Sequence, residues 1–390
     1  MIVPEPRKLS EQAGQHGSAG GPGADLVRPL RIRMARELRV LTQQEVVSRM
    51  PRPITASALS QIEGGRVRPA SDTVQDLAVA LEVPVGFFFT QTPGLESGAD
   101  DEPEPYFRDL RSTSARERRR SAALAVLLSD LAAEIERYVR LPELQVPAIS
   151  LPPTARREEV EDAAETVRRR WQIGMEPVIH VVRELERNGL LVARLALGHR
   201  SIDAFSVRFH PRPLVLLTDD KRNYVRSRFD AAHELGHLVM HAEQQPGSRR
   251  VEAQAHDFAA AFLLPRAAAV ELLPRRIDQA GWAQLAELKR RWGISMSALL
   301  RRGHSLQLLN DEQYRNAMKY MSAKGWRSIE PGDREMGAPE PPLLLERALK
   351  RIEIETGQTL DDLIRIADLP AKDIMPLVRA SLDQRPIIEL

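Results

Sequence analysis

The chain has 390 residues, 43% of them apolar and 28% charged, which suits a globular protein of two or three domains. Cysteine is absent, so disulfides, thiolate metal ligands and cysteine nucleophiles are excluded, and any bound metal falls to His, Asp or Glu. Net charge is only +2, so no global basic field marks a nucleic-acid partner and local charge has to be read instead.

Residues 1–25 are rich in Gly, Gln and Pro and predict a disordered lead-in. The next region, 26–90, reads as a bundle of five short helices. Residues 91–105, acidic and broken by Pro and Gly, read as a linker. Leu124, Leu127, Leu128, Leu131, Ile135 and Val139 recur at helical spacing, which predicts a connecting helix within 106–150. Mixed structure follows in 151–270. It has helices near 155–171 and 176–188, strands near 190–197, 203–209 and 213–218, and helices near 222–242 and 249–264. A helical extension occupies 271–335 and a small helical region 340–390. The expected fold class is therefore mainly α with one small α+β domain built around a short β-sheet. No apolar run of about 18 residues predicts a membrane span. The first residues, interrupted by Pro4, Pro6, Arg7 and Lys8, lack the apolar stretch of a secretion signal. The expectation is a cytoplasmic protein with no membrane partner.

Thr42-Gln43-Gln44-Glu45 has the form of a capping box and starts a short helix. After Pro51 and Pro53, Thr55 can cap a second short helix that Gly64-Gly65 stops. Two short helices joined by a turn, the second opening on small polar residues, have the form that enters a major groove. Between Arg28 and Arg68 there are nine Arg against three acids, a local excess suited to phosphate. TQQEVVSRM, TASALSQIEGGRVRP and the segment Asp72 to Leu81 resemble the Cro/lambda-repressor type of helix-turn-helix, also called XRE. The resemblance implies that Thr55, Ala56, Ser57 and Gln61 meet bases, and that Gln43 and Arg66 meet phosphates. It implies double-stranded operator DNA as the partner. A homodimer follows, since one such unit reads a half-site, and the helix at 114–140 is the candidate dimer contact.

His233-Glu234-Leu235-Gly236-His237 places two imidazoles one helical turn apart on one face, able to converge on one ion, with a carboxylate beside them to take a proton from an activated water. Zinc wants a third protein ligand and keeps a fourth position open. His241, again four residues on, would sit about 12 Å along the axis from His233 if the helix continues, and three side chains in one row do not close a tetrahedron. It is expected at a helix end, facing solvent or a carbonyl. The third ligand falls to the helix at 250–264. Glu252 is the choice there, with His256 as the alternative, and Asp257 turns partly away.

RFDAAHELGHLVMH and EAQAHDFAAAFLLP, with the PLVLL strand before them, resemble the ImmA/IrrE family of metallopeptidase-like domains. The resemblance implies a zincin-like domain with zinc on His233, His237 and Glu252, and Glu234 as the catalytic residue. It implies a zinc-dependent endopeptidase of HExxH type that cleaves a regulatory protein or itself. Together the two resemblances describe a DNA-binding repressor fused to such a domain. The competing expectation is a repressor whose zinc domain senses a metal or ligand and cuts nothing.

Overall fold

The structure, a computed structural model, describes residues 26–91, 106–107, 114–195, 204–209, 211–218, 223–241 and 248–382. The predicted lead-in, nearly all of the acidic linker, and the ends of the first two predicted strands lie outside the described residues.

The described chain is mainly helical with one small mixed sheet. Its N-terminal part comprises α1 (Pro29–Leu38), α2 (Gln43–Arg49), α3 (Ala56–Glu63), α4 (Ser71–Leu81) and a single 3-10 turn over Val85–Phe88. Pro29 occupies the first turn of α1, where its missing N–H costs nothing. Thr42 and Glu45 form the reciprocal capping box that starts α2, and the Thr55 hydroxyl accepts from the Ala58 amide to start α3. The proline-rich turn between α2 and α3 is tied down by Arg52, whose guanidinium bonds Asp72 and Asp76 of α4.

A two-residue strand β1 (Tyr106–Phe107) precedes α5 (Ala115–Glu136), which Ser114 and Glu117 cap. Then come α6 (Arg157–Arg170), α7 (Val181–Arg187), β2 (Leu191–Leu195), β3 (Ala204–Val207) and β4 (Leu214–Thr218). The sheet order is β1-β3-β4-β2, with β2 parallel to β4 and the other pairs antiparallel. Helices α8 (Tyr224–Met240), α9 (Arg249–Leu263), α10 (Arg266–Leu272), α11 (Gln279–Trp292), α12 (Met296–Ser305) and α13 (Asp311–Ala323) follow. The last three are α14 (Leu344–Thr356), α15 (Leu360–Ile366) and α16 (Ala371–Leu382).

Side chains alternate across the sheet, so each strand feeds two cores. Leu191, Ala193, Phe205, Val207, Leu214 and Leu216 join one core, together with α1–α5 and α14–α16. Val192, Ala204, Val215 and Leu217 join the other, together with α6–α13. Core membership therefore departs from chain order. Residues 340–390, read from sequence as a small terminal region, place α14–α16 beside α5 and the N-terminal helices. Charged pairs reinforce that contact: Arg39 with Asp373 of α16 at 2.7 Å, and Lys372 with Glu82 at 2.5 Å.

Tyr106–Phe107 lies ahead of the connecting helix and pairs antiparallel with Ser206 and Phe205 at the sheet edge. The helix expected at 114–140, the candidate dimer contact, is present as α5, and its middle turns are packed inside the monomer. From Ala123 to Ala132 every residue is buried against α1, the sheet and the C-terminal helices. Its Asp130 makes a two-bond pair with Arg31 of α1, both nearly fully buried. Periodicity marked this helix as apolar but could not say which surfaces it would meet.

Candidate metal centre

Helix α8 carries the central residues, and its sequence builds it. The Asn223 side chain accepts from the Arg226 amide to start it, and burial of every residue from Asp230 to Met240 holds it through Gly236, a poor helix former. At the far end its last carbonyls are satisfied from outside. Arg208 donates to the carbonyls of His237 and Leu238, and the amides of Ile149 and Leu151 donate to those of Val239 and Met240.

Helix α9 packs across α8 where Gly236 leaves the α8 surface bare. A Cβ on Gly236 would stand 3.0 Å from the Phe258 ring, so only glycine permits this approach without displacing Phe258. The open side of Gly236 thus receives an α9 side chain.

That packing brings three groups together. His233 Nε2 and His237 Nε2 are 3.1 Å apart. Glu252 on α9 lies 3.3 Å from His233 Nε2 through one oxygen and 3.5 Å from His237 Nε2 through the other. These three form the one candidate metal-holding cluster among the described residues. A tetrahedral zinc with ligands near 2.0–2.1 Å has ligand–ligand edges of about 3.4 Å, so the triangle matches one face of such a tetrahedron. The chemistry fits as well. Two imidazole nitrogens and a carboxylate converging in a buried space repel one another unless a cation or proton lies between them. Both histidines are essentially buried, whereas the Glu252 side chain is 21% exposed and forms the open edge of the site. Burial works to raise the Glu252 carboxyl, but its contacts with His233 and His237 outweigh it and hold the group at about 2.

Glu234, the expected proton carrier, is fully buried on the side of α8 facing the sheet. Ser206 of β3 donates to its Oε2 at 2.7 Å. Sequence reasoning missed Ser206. The available signal was a hydroxyl inside the apolar strand run Ala204 to Val207, at the strand position that alternation puts on the same face as Ala204.

His256, the alternative third ligand, is half-buried one turn along α9. Its ring packs edge-on to His233 with centroids 5.6 Å apart and lies against Phe229, outside the converging triangle. Asp257 bonds Arg157 of α6 at 3.2 Å. His241 departs from expectation. It stands at the C-cap of α8 yet is fully buried, away from solvent. Its Nδ1 lies 3.0 Å from His237 Nδ1 and its Nε2 3.0 Å from Gln254 Oε1. Burial is the main force that pushes its pKa down to about 4, and the neighbouring His237 adds to it. Sequence geometry kept His241 out of the converging triangle but did not foresee that α9 and the loop before α6 would enclose it.

In the N-terminal helices, Thr55, Ser57, Gln61 and Arg66 are exposed and Ala56 is half-buried along α3 and its end. Gln43 is half-buried, and its amide donates to Glu63 at 2.8 Å, where Arg36 also binds. A carboxylate of this chain therefore holds the group expected to meet phosphate. The arginine excess shrinks in the same way. Arg31, Arg39 and Arg52 pair with carboxylates outside 28–68, namely Asp130, Asp373 and the pair Asp72 and Asp76. Counting charge within 28–68 could not include those partners.

Residues 185–304 match the family model described as the IrrE N-terminal-like domain, a peptidase family. The match runs from the end of α7 through the sheet, α8 and α9 to α12, and so contains all three converging residues, Glu234 and Ser206. The chain carries a metallopeptidase-like domain of the ImmA/IrrE kind over under a third of its length. No protein among the curated ones matches the chain. Among the described residues no helix is long and apolar enough to cross a membrane.

Proposed function

We propose that the chain is a cytoplasmic transcriptional repressor that binds operator DNA through α2 and α3 and carries a zinc-dependent peptidase centre on α8 and α9. The observation that carries the second half is the convergence of His233, His237 and Glu252 within 3.1–3.5 Å. Zinc held by these three residues would supply a Lewis acid that polarises a peptide carbonyl and acidifies a water. Glu234 takes the proton at a carboxylate oxygen and returns it to the leaving amine. Ser206 orients that carboxylate by its hydrogen bond. The substrate is a regulatory protein or another segment of this chain.

Glu234→Gln tests the reading. The variant should bind zinc like the parent and lose peptide hydrolysis. If cleavage persists in it, Glu234 is not the base. A sensor that cuts nothing is the second reading, and the complete burial of Glu234 favours it. Metal-dependent DNA release that survives unchanged in Glu234→Gln would select it.

The DNA half is supported by the capped pair of short helices and by the exposure of Thr55, Ser57, Gln61 and Arg66. Selection of the full-length protein against random duplex DNA should enrich a two-fold symmetric site, bound as a dimer with salt-dependent affinity. Failure to enrich any sequence, or sedimentation of a monomer on the enriched site, would remove this part.

A further inference from the structure

The hydrogen bonds behind the metal centre have a direction, and that direction reaches a ligand atom. The Pro152 carbonyl can only accept. The Gln254 amide nitrogen lies 2.9 Å from it and must be the donor, which fixes the orientation of the Gln254 side chain. Gln254 Oε1 then faces His241 Nε2 at 3.0 Å and can only accept, so Nε2 of His241 carries a hydrogen. A neutral imidazole holds one N–H, so Nδ1 of His241 is bare and accepts. Its partner at 3.0 Å is Nδ1 of His237, which must therefore donate. Nε2 of His237 is left with its lone pair exposed, and that atom faces His233 and Glu252.

We infer that His241 and Gln254 are positioning residues that set the tautomer of His237, presenting its Nε2 lone pair to the metal before the metal arrives. The inference rests on the proposed metal site and extends it to two residues that touch no ion. The relay starts from a fixed point. Pro152 belongs to the loop whose Ile149 and Leu151 amides bond the last carbonyls of α8, so the accepting carbonyl is held against the helix it serves. His237, His241 and Gln254 are all buried, so no water competes for these positions at the surface. Reversing any one bond reverses the chain beyond it. A His241 that donated from Nδ1 would force a hydrogen onto Nε2 of His237 and block coordination there.

The test is nitrogen NMR of the full-length protein labelled in its histidine rings, with and without zinc, together with zinc affinity. In the metal-free protein, His237 should carry its hydrogen on Nδ1 and His241 on Nε2. His241→Leu removes the acceptor and should weaken zinc binding by about 10–100-fold, the usual effect of losing a partner that orients a ligand. His241→Gln restores an acceptor toward His237 and a donor toward Gln254, and should recover most of the affinity. Gln254→Leu should mix the two tautomers of His237 in the metal-free state. A metal-free parent with the hydrogen on Nε2 of His237 overturns the inference, as does undiminished affinity in His241→Leu. The tautomer measurement stands even if His241→Leu does not fold. If the parent binds no zinc at all, the metal reading fails, and the metal-free spectrum still decides the relay separately.

Discussion

Ser206 donates its hydroxyl hydrogen to Glu234 at 2.7 Å across the interface between β3 and α8, with both residues fully buried. A buried carboxylate needs donors, and this one receives its bond from a strand nearly thirty residues upstream. Ser206→Ala removes the donor. Stability should fall by about 1–3 kcal/mol, the cost of stranding a buried polar group. Zinc content should be unchanged, because the bond belongs to Glu234 and not to the converging triangle. Urea unfolding and metal analysis of the purified variant check both parts.

The third corner of the triangle is Glu252 and not its neighbour His256. Glu252→Ala should lose zinc affinity by more than the roughly 10–100-fold that loss of a supporting residue costs. His256→Ala should keep zinc at parental stoichiometry. Equilibrium titration with a competing chelator separates the two. Zinc retained by the Glu252 variant and lost by the His256 variant would reverse the assignment.

Gly236 sets the distance between α8 and α9. In Gly236→Ala the added methyl meets Phe258 at about 3.0 Å, and the better helix propensity of Ala, about 1 kcal/mol, offsets part of the crowding. Gly236→Leu has no such room. It should cost about 1–3 kcal/mol and carry Glu252 away from the two histidines, so stability and zinc affinity fall together. Thermal unfolding with and without chelator would show this as a reduced stabilisation by metal.

Glu186 of α7 accepts from the backbone amides of Leu343 and Leu344 and so caps the start of α14. Burial pushes its pKa up from 4.5 to about 7, and the two amide bonds oppose this only in part. Because the folded value is the higher one, its contribution to stability is complete below about pH 4.5. That contribution is lost as pH rises through about 7. The full span corresponds to on the order of 3 kcal/mol. Glu186→Gln keeps an acceptor and cannot ionise. Between pH 5 and pH 8 the parent should lose more stability than this variant, and parallel curves for the two would refute the assignment.

Much of the converging triangle was legible in the sequence because two of its corners lie on one short helical repeat. Spacing alone put His233 and His237 on one face and Glu234 beside them. The choice of Glu252 needed only one further helix. Ser206 and Gln254 were not legible, since each acts across an interface with a partner 28 or 13 residues away. His241 was half-read. Helical geometry removed it from the coordination, but its burial depended on α9 and the loop at Pro152.

The sequence by itself determined the helical character, the three main strands, the cap residues of α2 and α3, and the two-histidine motif. All of these follow from local backbone preference and from side-chain period. The tertiary structure decided where α5 and α14–α16 go, how many N-terminal arginines stay uncompensated, and which way the hydrogen bonds run behind His237. These depend on surfaces that meet from distant parts of the chain. Periodicity shows that a face is apolar, and a charge count shows that a patch is basic. Neither shows what will cover that face or neutralise that patch.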